Sequence, residues 1–136
     1  MTPEEQREFL TSNRLAIVGL PRRSGPPHMS PVYYIMDGDD VLISTTASRF
    51  KAKAVRRNPS VSLCIIGEQP PFPYLLLYGS GSIEDEGAVD AMMKIGEKMT
   101  GDPIPESARP AVEERARKEG RVVLRVHPDT FVPRSG

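Results

Sequence analysis

The chain has 136 residues, of which 38% are hydrophobic and 26% charged, as expected for one soluble globular domain over residues 1–136. Its 18 basic and 18 acidic residues balance, so no net field attracts it to nucleic acid or to an anionic membrane. The single cysteine, Cys64, excludes an internal disulfide framework and a cysteine-based zinc site. The acidic start is unlike a signal peptide, and no apolar run has the length of a membrane span. We therefore expect a cytoplasmic protein.

The first half of the chain predicts a helix followed by three strands. Thr2, Pro3 and Glu5 form the capping-box pattern that begins a helix. Alternating hydrophobicity, interrupted by turn residues, then predicts strands at residues 15–19, 29–36 and 41–45. The acidic turn at residues 37–40 joins the last two of these strands as a hairpin.

The run of residues 41–66 indicates an anion site. A strand ends in hydroxyl residues, and a short basic helix follows until Asn58-Pro59 stops it. The hydroxyls and cations of the strand end, the loop and the helix are Ser44, Thr45, Thr46, Ser48, Arg49, Lys51, Lys53, Arg56 and Arg57. The first-turn amides of a helix lack partners and its dipole favours negative charge, so an anion binds well at such a helix start. The alternative is a solvated basic helix between two strands, and this run by itself does not distinguish the two.

The second half predicts three more strands and two helices. Strands are predicted at residues 61–66, 74–83 and 121–126, the last of them closed by His127-Pro128. Gly79 and Gly81 indicate a bulge or the close approach of a ligand or another backbone. Apolar residues at helical spacing, several of them methionines, predict a helix at residues 86–100, and a charged helix follows at residues 111–119. Six strands joined mostly by short turns favour a mainly β (α+β) fold, an antiparallel barrel with peripheral helices.

The sequence lacks the common catalytic and nucleotide-binding motifs. There is no nucleophile elbow, dinucleotide fingerprint or P-loop. His28 and His127 are far apart with no carboxylate motif beside them, which argues against a metal site or a serine–histidine triad. Tyr33 and Tyr34 point to opposite faces of their strand, so one is expected in the core and the other is able to line a pocket. An enzyme built on this chain would take its chemistry from a bound cofactor.

Several motifs follow one another in a characteristic order: LAIVG, GPPHMSPVYYIMDGDDVLIST, SRFKAKAVRRNPSVSLCI, YGSGSIED and RVVLRVHPDTF. This order resembles the split β-barrel flavin-binding family. That family includes pyridoxamine 5′-phosphate oxidases and oxidoreductases that use the deazaflavin coenzyme F-420 (8-hydroxy-5-deazaflavin). The resemblance implies a six-stranded antiparallel split β-barrel. It also implies that Lys51 binds the cofactor phosphate and that Ser44 and Thr45 contact the phosphate or the ring edge. The backbone of Pro31 and Val32 would face the ring.

The sequence departs from the family pattern at positions that bear on the cofactor and on the substrate. Phe50 stands where many members have an arginine beside the lysine, with Arg49 as a substitute one position earlier. The C-terminal signature of true pyridoxamine 5′-phosphate oxidases is missing, which makes pyridoxamine phosphate a poor candidate for the substrate. The start of the first hairpin resembles the deazaflavin branch through Gly25, Pro27, His28, Pro31 and Val32.

The resemblance therefore implies an oxidoreductase in which reduced F-420 passes a hydride to an unsaturated or conjugated small molecule. No side chain is identified as the general acid, and the proton would come from solvent or a tyrosine. The expected partner is a second copy of the chain, in a homodimer with the cofactor at the subunit interface. The cofactor-binding residues would be Pro31, Val32, Tyr33, Ser44, Thr45, Thr46, Arg49, Lys51, Arg56 and Arg57.

Three other functions stay open. The first is an FMN-dependent enzyme similar to pyridoxamine 5′-phosphate oxidase on the same fold. The second is a protein that binds a flavin, a deazaflavin or haem without turnover. The third, nucleic-acid binding through residues 51–57, is the weakest, because these cations are not interleaved with aromatic residues and the net charge is zero.

Overall fold

The computed structural model describes residues 1–135, which form seven strands and four α-helices. The helices are α1 Pro3–Ser12, α2 Phe50–Arg57, α3 Ala88–Thr100 and α4 Arg109–Glu119. The strands are β1 Leu15–Leu20, β2 His28–Tyr33, β3 Ile35–Asp37, β4 Asp40–Thr46, β5 Ser60–Ile66, β6 Tyr74–Glu84 and β7 Arg121–Arg134. A single 3-10 turn, Glu106–Ala108, precedes α4. None of the helices in residues 1–135 is long and apolar enough to cross a membrane.

All strands pair antiparallel in one curled sheet, in the order β2-β1-β5-β6-β7-β4-β3. The strands β2 and β3 are consecutive in sequence yet lie at opposite edges of the sheet. The sheet therefore curls into a half-barrel. This confirms the predicted α+β fold with an antiparallel barrel-like sheet and peripheral helices.

The number of strands is seven rather than the predicted six, because the strand expected at residues 29–36 divides at Tyr34. The side chain of Tyr34 is fully buried, and its hydroxyl donates a hydrogen bond to the Leu10 carbonyl at 2.6 Å. The Tyr34 amide donates to the carbonyl of Arg14 instead of joining a strand ladder. Burial of this side chain against the end of α1 thus breaks the strand and lets the chain pass from one sheet edge to the other.

The last strand is longer than predicted, because it continues through Pro128 to Arg134. The ladder with β6 shifts register between Tyr78 and Gly79, and Gly79 then lies opposite Pro128. A β-bulge is a place where a strand tolerates proline, since the ladder is already interrupted there. The expected end at residue 126 was wrong for this reason.

The main core fills the inside of the curled sheet with alternate residues of its strands, and α2 contributes Ala54 and Val55 to it. A second, smaller core lies on the outer face of β3, β4 and β7, where α3 packs through Ala88, Ala91 and Ile95. In consequence β4 has one face in the main core and the other towards α3. That division decides which residues of β4 reach the candidate site.

Candidate functional site

A groove of about 510 Å³ lies where β2, β4, the start of α2 and the α3–α4 pair meet. The residues that line it are Pro31, Val32, Tyr33, Ser44, Arg49, Lys51, Met92, Ile95, Gly96, Met99, Thr100, Ile104, Arg115 and Arg121. Six of the ten residues predicted to bind the cofactor are among them: Pro31, Val32, Tyr33, Ser44, Arg49 and Lys51. The fold therefore brings together the edge strand, the end of β4 and the first cations of the basic helix.

Thr45 and Thr46 lie outside this lining, and both are buried. Side chains alternate along a strand, so Ser44 faces the groove while Thr45 points to the main core. The Thr45 hydroxyl has no hydrogen-bond partner among the described residues. The Thr46 carbonyl accepts a hydrogen bond from the Arg49 amide at 3.1 Å, within the turn that leads into α2.

Arg56 and Arg57 also lie away from the groove, at the C-terminal end of α2. Arg56 is 3.8 Å from the Asp85 carboxylate, and Arg57 is exposed. About one and a half turns of helix separate them from Lys51, which puts them at the opposite pole of the helix dipole. A role for these two residues in cofactor binding stays a prediction.

The start of α2 is cationic and uncompensated. Its N-cap residue, Arg49, makes no side-chain capping bond, so the first-turn amides have no side-chain acceptor. Burial, and then the neighbouring Arg49 charge, lower the pKa of Lys51. Within residues 1–135 no carboxylate lies within 4.0 Å of either side chain. An anion at this position would accept hydrogen bonds from the first-turn amides and reduce the repulsion between Arg49 and Lys51.

His28 lies beside the same cationic end. Its ring packs on Phe50 with centroids 4.9 Å apart, and its Nε2 is 3.2 Å from the Ser30 hydroxyl. Burial, followed by the positive charges of Lys51 and Arg22, lowers the pKa of His28. Phe50 packs against His28 and does not line the groove, so the cations that the start of α2 contributes to the lining are Arg49 and Lys51.

Residues of α3, α4 and β7 also line the groove, and none of them was predicted as a site residue. Arg121 begins β7 and lies opposite Thr46 in the β4–β7 ladder. Its side chain is 12% exposed; Nε lies 2.8 Å from a Glu119 oxygen and Nη1 3.5 Å from the Ser44 hydroxyl. The alternation of Arg121, Val123 and Arg125 was a signal that these residues share a face, but only the β4–β7 register reveals that the face is that of Ser44.

A family model described as pyridoxamine 5′-phosphate oxidase matches residues 2–133. The chain belongs to the pyridoxamine 5′-phosphate oxidase family. The match covers nearly every element described above, including the groove and both of its helical sides. A search of curated proteins found no match.

Solved structures share the fold at low sequence identity. A conserved hypothetical protein of Mycobacterium tuberculosis, Rv2991, is 23% identical with a TM-score of 0.86, over 99% of this chain and 85% of that one. An F-420 reductase is 23% identical with a TM-score of 0.74, over 93% and 94% of the two chains. An FAD-binding protein of Mesorhizobium loti is 17% identical with a TM-score of 0.68, over 98% and 94%. At these identities the likeness shows the fold alone, and that fold occurs in both an FAD-binding protein and an F-420 reductase.

Proposed function

We propose that this member of the family is an oxidoreductase that uses reduced coenzyme F-420 to transfer a hydride to an unsaturated or conjugated small molecule. The observation that carries the proposal is the groove, whose lining contains four cations and, among the described residues, no carboxylate. Its backbone wall is an edge strand of the sheet. The same fold in an F-420 reductase supports the choice of cofactor.

The residues of the groove suit an anionic, ring-bearing cofactor. Lys51, Arg49 and the first-turn amides of α2 would bind the phosphate, and the Ser44 hydroxyl would donate a hydrogen bond beside them. The pKa of Lys51 is lowered in the absence of a partner. A bound phosphate would favour the charged form again, so that binding and protonation support each other.

The edge strand β2 would position the ring. Because β2 pairs only with β1, half of its backbone N–H and C=O groups point away from the ladder. The Tyr34 amide bonds to Arg14 on the β1 side, so by alternation the free groups of this stretch belong to Pro31 and Tyr33, which line the groove together with Val32. Proline lacks an N–H, so Pro31 offers only its carbonyl as an acceptor. A bound deazaflavin supplies hydride-transfer chemistry, and the chain supplies orientation and exclusion of water.

A second candidate is an FMN-dependent enzyme. The uncapped start of α2 with Arg49 and Lys51 suits a phosphate monoester as well as a diester. The family match and the likeness to an FAD-binding protein agree with a flavin. The two cofactors differ in what lies beyond the phosphate, so direct binding is the measurement that separates them.

Titration of the purified protein with F-420 and with FMN, followed by fluorescence quenching, tests the proposal. We expect micromolar or tighter binding of F-420 and weaker binding of FMN. Equal or tighter binding of FMN would transfer the assignment to the flavin candidate. Absence of binding by both cofactors would refute a redox cofactor in this groove.

A further inference from the structure

The groove holds a second pair of cations, Arg115 and Arg121, which come from α4 and β7 rather than from α2. One carboxylate serves both arginines: Glu119 lies 3.3 Å from Arg115 Nε and 2.8 Å from Arg121 Nε. The net charge of this group is positive, because two guanidinium groups share a single carboxylate. It is separate from the start of α2, where Arg49 and Lys51 would serve the cofactor phosphate.

Arg121 is oriented for an anionic ligand. Its side chain is mostly buried, and Glu119 occupies only its Nε side. On the other side, the one acceptor that the described residues offer is the Ser44 hydroxyl at the long distance of 3.5 Å from Nη1. A guanidinium carries five N–H donors in a planar fork that matches a carboxylate. The Nη donors therefore remain available on the side of the groove.

An apolar surface adjoins this pair of arginines. It is formed by Met92, Ile95 and Met99 of α3 and by Ile104, all of which line the groove. Gly96 lets the segment after α3 approach closely, since a Cβ at that position would lie 2.7 Å from Ile104 Cδ1. Methionine side chains adapt to irregular apolar shapes, which suits a planar organic body.

We infer that Arg115 and Arg121 bind the carboxylate of an acceptor whose apolar, conjugated body lies on Met92, Ile95, Met99 and Ile104. The inference rests on the proposed function. In that function Arg49 and Lys51 at the start of α2 bind the cofactor, so Arg115 and Arg121 remain for the substrate. Glu119 acts as a positioning residue that fixes both guanidinium groups. The substrate class is thus a conjugated carboxylic acid, in preference to its neutral analogue.

Calorimetric titration with trans-cinnamate and with cinnamamide tests this inference, because the two probes share a conjugated body and differ in charge. Both are titrated into the protein alone and into the protein saturated with oxidised F-420, so that no turnover occurs. We expect cinnamate to bind about tenfold more tightly than cinnamamide in both states. Arg121→Gln should abolish this preference. Arg117→Gln, on α4 but outside the groove, should retain it.

Several results would overturn the inference. Equal affinity for the two probes would do so, as would a preference that survives Arg121→Gln. Loss of cinnamate binding on saturation with F-420 would assign the arginine pair to the cofactor instead. The exposed Arg115→Gln variant gives a second test should Arg121→Gln fail to fold. A carboxylate preference without any F-420 binding would support the arginine site and refute the proposed cofactor, so the two failures are distinguishable.

Discussion

At the scale of single residues, Lys51 and Lys53 are close in sequence but differ in environment. Lys51 is half-buried in the groove, whereas Lys53 is exposed on another side of α2. We expect Lys51→Ala to weaken F-420 binding by about 1.5–3 kcal/mol, the size of a charge-assisted hydrogen bond. Lys53→Ala should cost clearly less and serves as the matched control. Equal losses in the same fluorescence titration would show that α2 is merely a basic surface.

His127 and Asp40 form a pair whose strength depends on pH. His127 Nδ1 lies 2.8 Å from an Asp40 oxygen. The hydrogen bond with Asp40 raises the pKa of His127, and the same bond, opposed by burial and aided by Arg125, lowers the pKa of Asp40. The raised pKa means that the contribution of His127 is complete below its unfolded value, about 6.5, and is lost as pH rises through the folded value. The contribution of Asp40 is present above its unfolded value, about 3.9, and is lost as pH falls through the folded value.

The His127–Asp40 pair should therefore stabilise the fold most between the two unfolded pKa values, about 3.9 and about 6.5. We expect His127→Gln to lower the free energy of unfolding more at about pH 5 than at about pH 8.5. Urea unfolding of both proteins at the two pH values measures this difference. A loss that is the same at both values would contradict the assignment of the dependence to His127.

At the scale of elements, the bulge in the β6–β7 ladder leaves no room for a side chain at Gly79. A Cβ built on Gly79 would lie 2.1 Å from the His127 carbonyl oxygen, which belongs to the backbone. No rotamer change relieves such a contact, so the strands would have to separate. We expect Gly79→Ala to destabilise the protein by about 3 kcal/mol or more.

Gly19→Ala in β1 is the control for that change. Its Cβ would meet Ser62 Cβ at 3.6 Å, an ordinary contact. We expect a change within about 1 kcal/mol for this variant. Chemical denaturation of both variants under one set of conditions gives the comparison, and a similar cost at the two positions would refute the role of the bulge.

At the scale of the whole molecule, the outer face of β2, β1, β5 and β6 is mostly apolar and carries a groove of about 540 Å³. Met29 is 67% exposed and Tyr78 44% exposed on this face. The side chains of Pro31 and Tyr33 follow Met29 on the same side of β2 and reach the cofactor groove. We propose that a second copy of the chain covers the face in an isologous homodimer, which would then also border the cofactor groove.

Light scattering at micromolar concentration should therefore give about twice the chain mass of 15.0 kDa. Tyr78→Glu should produce a folded monomer that binds the cofactor more weakly, because the partner no longer borders the groove. Ala111→Glu adds the same charge at an exposed position of α4 and should leave the dimer intact. A monomeric wild-type protein with full cofactor affinity would refute the dimer.

Features that depend on neighbours within a few residues could be predicted from the sequence. The capping box of Thr2 and Glu5 forms as predicted, with both reciprocal hydrogen bonds. Gly120 ends α4 in the left-handed conformation, and Asn58-Pro59 ends the basic helix. These signals are reliable because the interactions that decide them lie inside the segment itself. The family resemblance added the prediction of a split β-barrel and of Lys51 as the residue that binds the cofactor phosphate.

Features that depend on distant parts of the chain became visible only in the folded protein. The break at Tyr34 comes from a hydrogen bond to Leu10, and the extension of β7 comes from a bulge shared with β6. Arg121 joins the groove because the β4–β7 register places it beside Thr46. A shift of one residue in that register would turn Arg121 to the opposite face, and the register is formed between two strands that lie far apart in the sequence. Long-range pairing is set by the packing of the whole sheet, which is why half of the groove was found only in the folded chain.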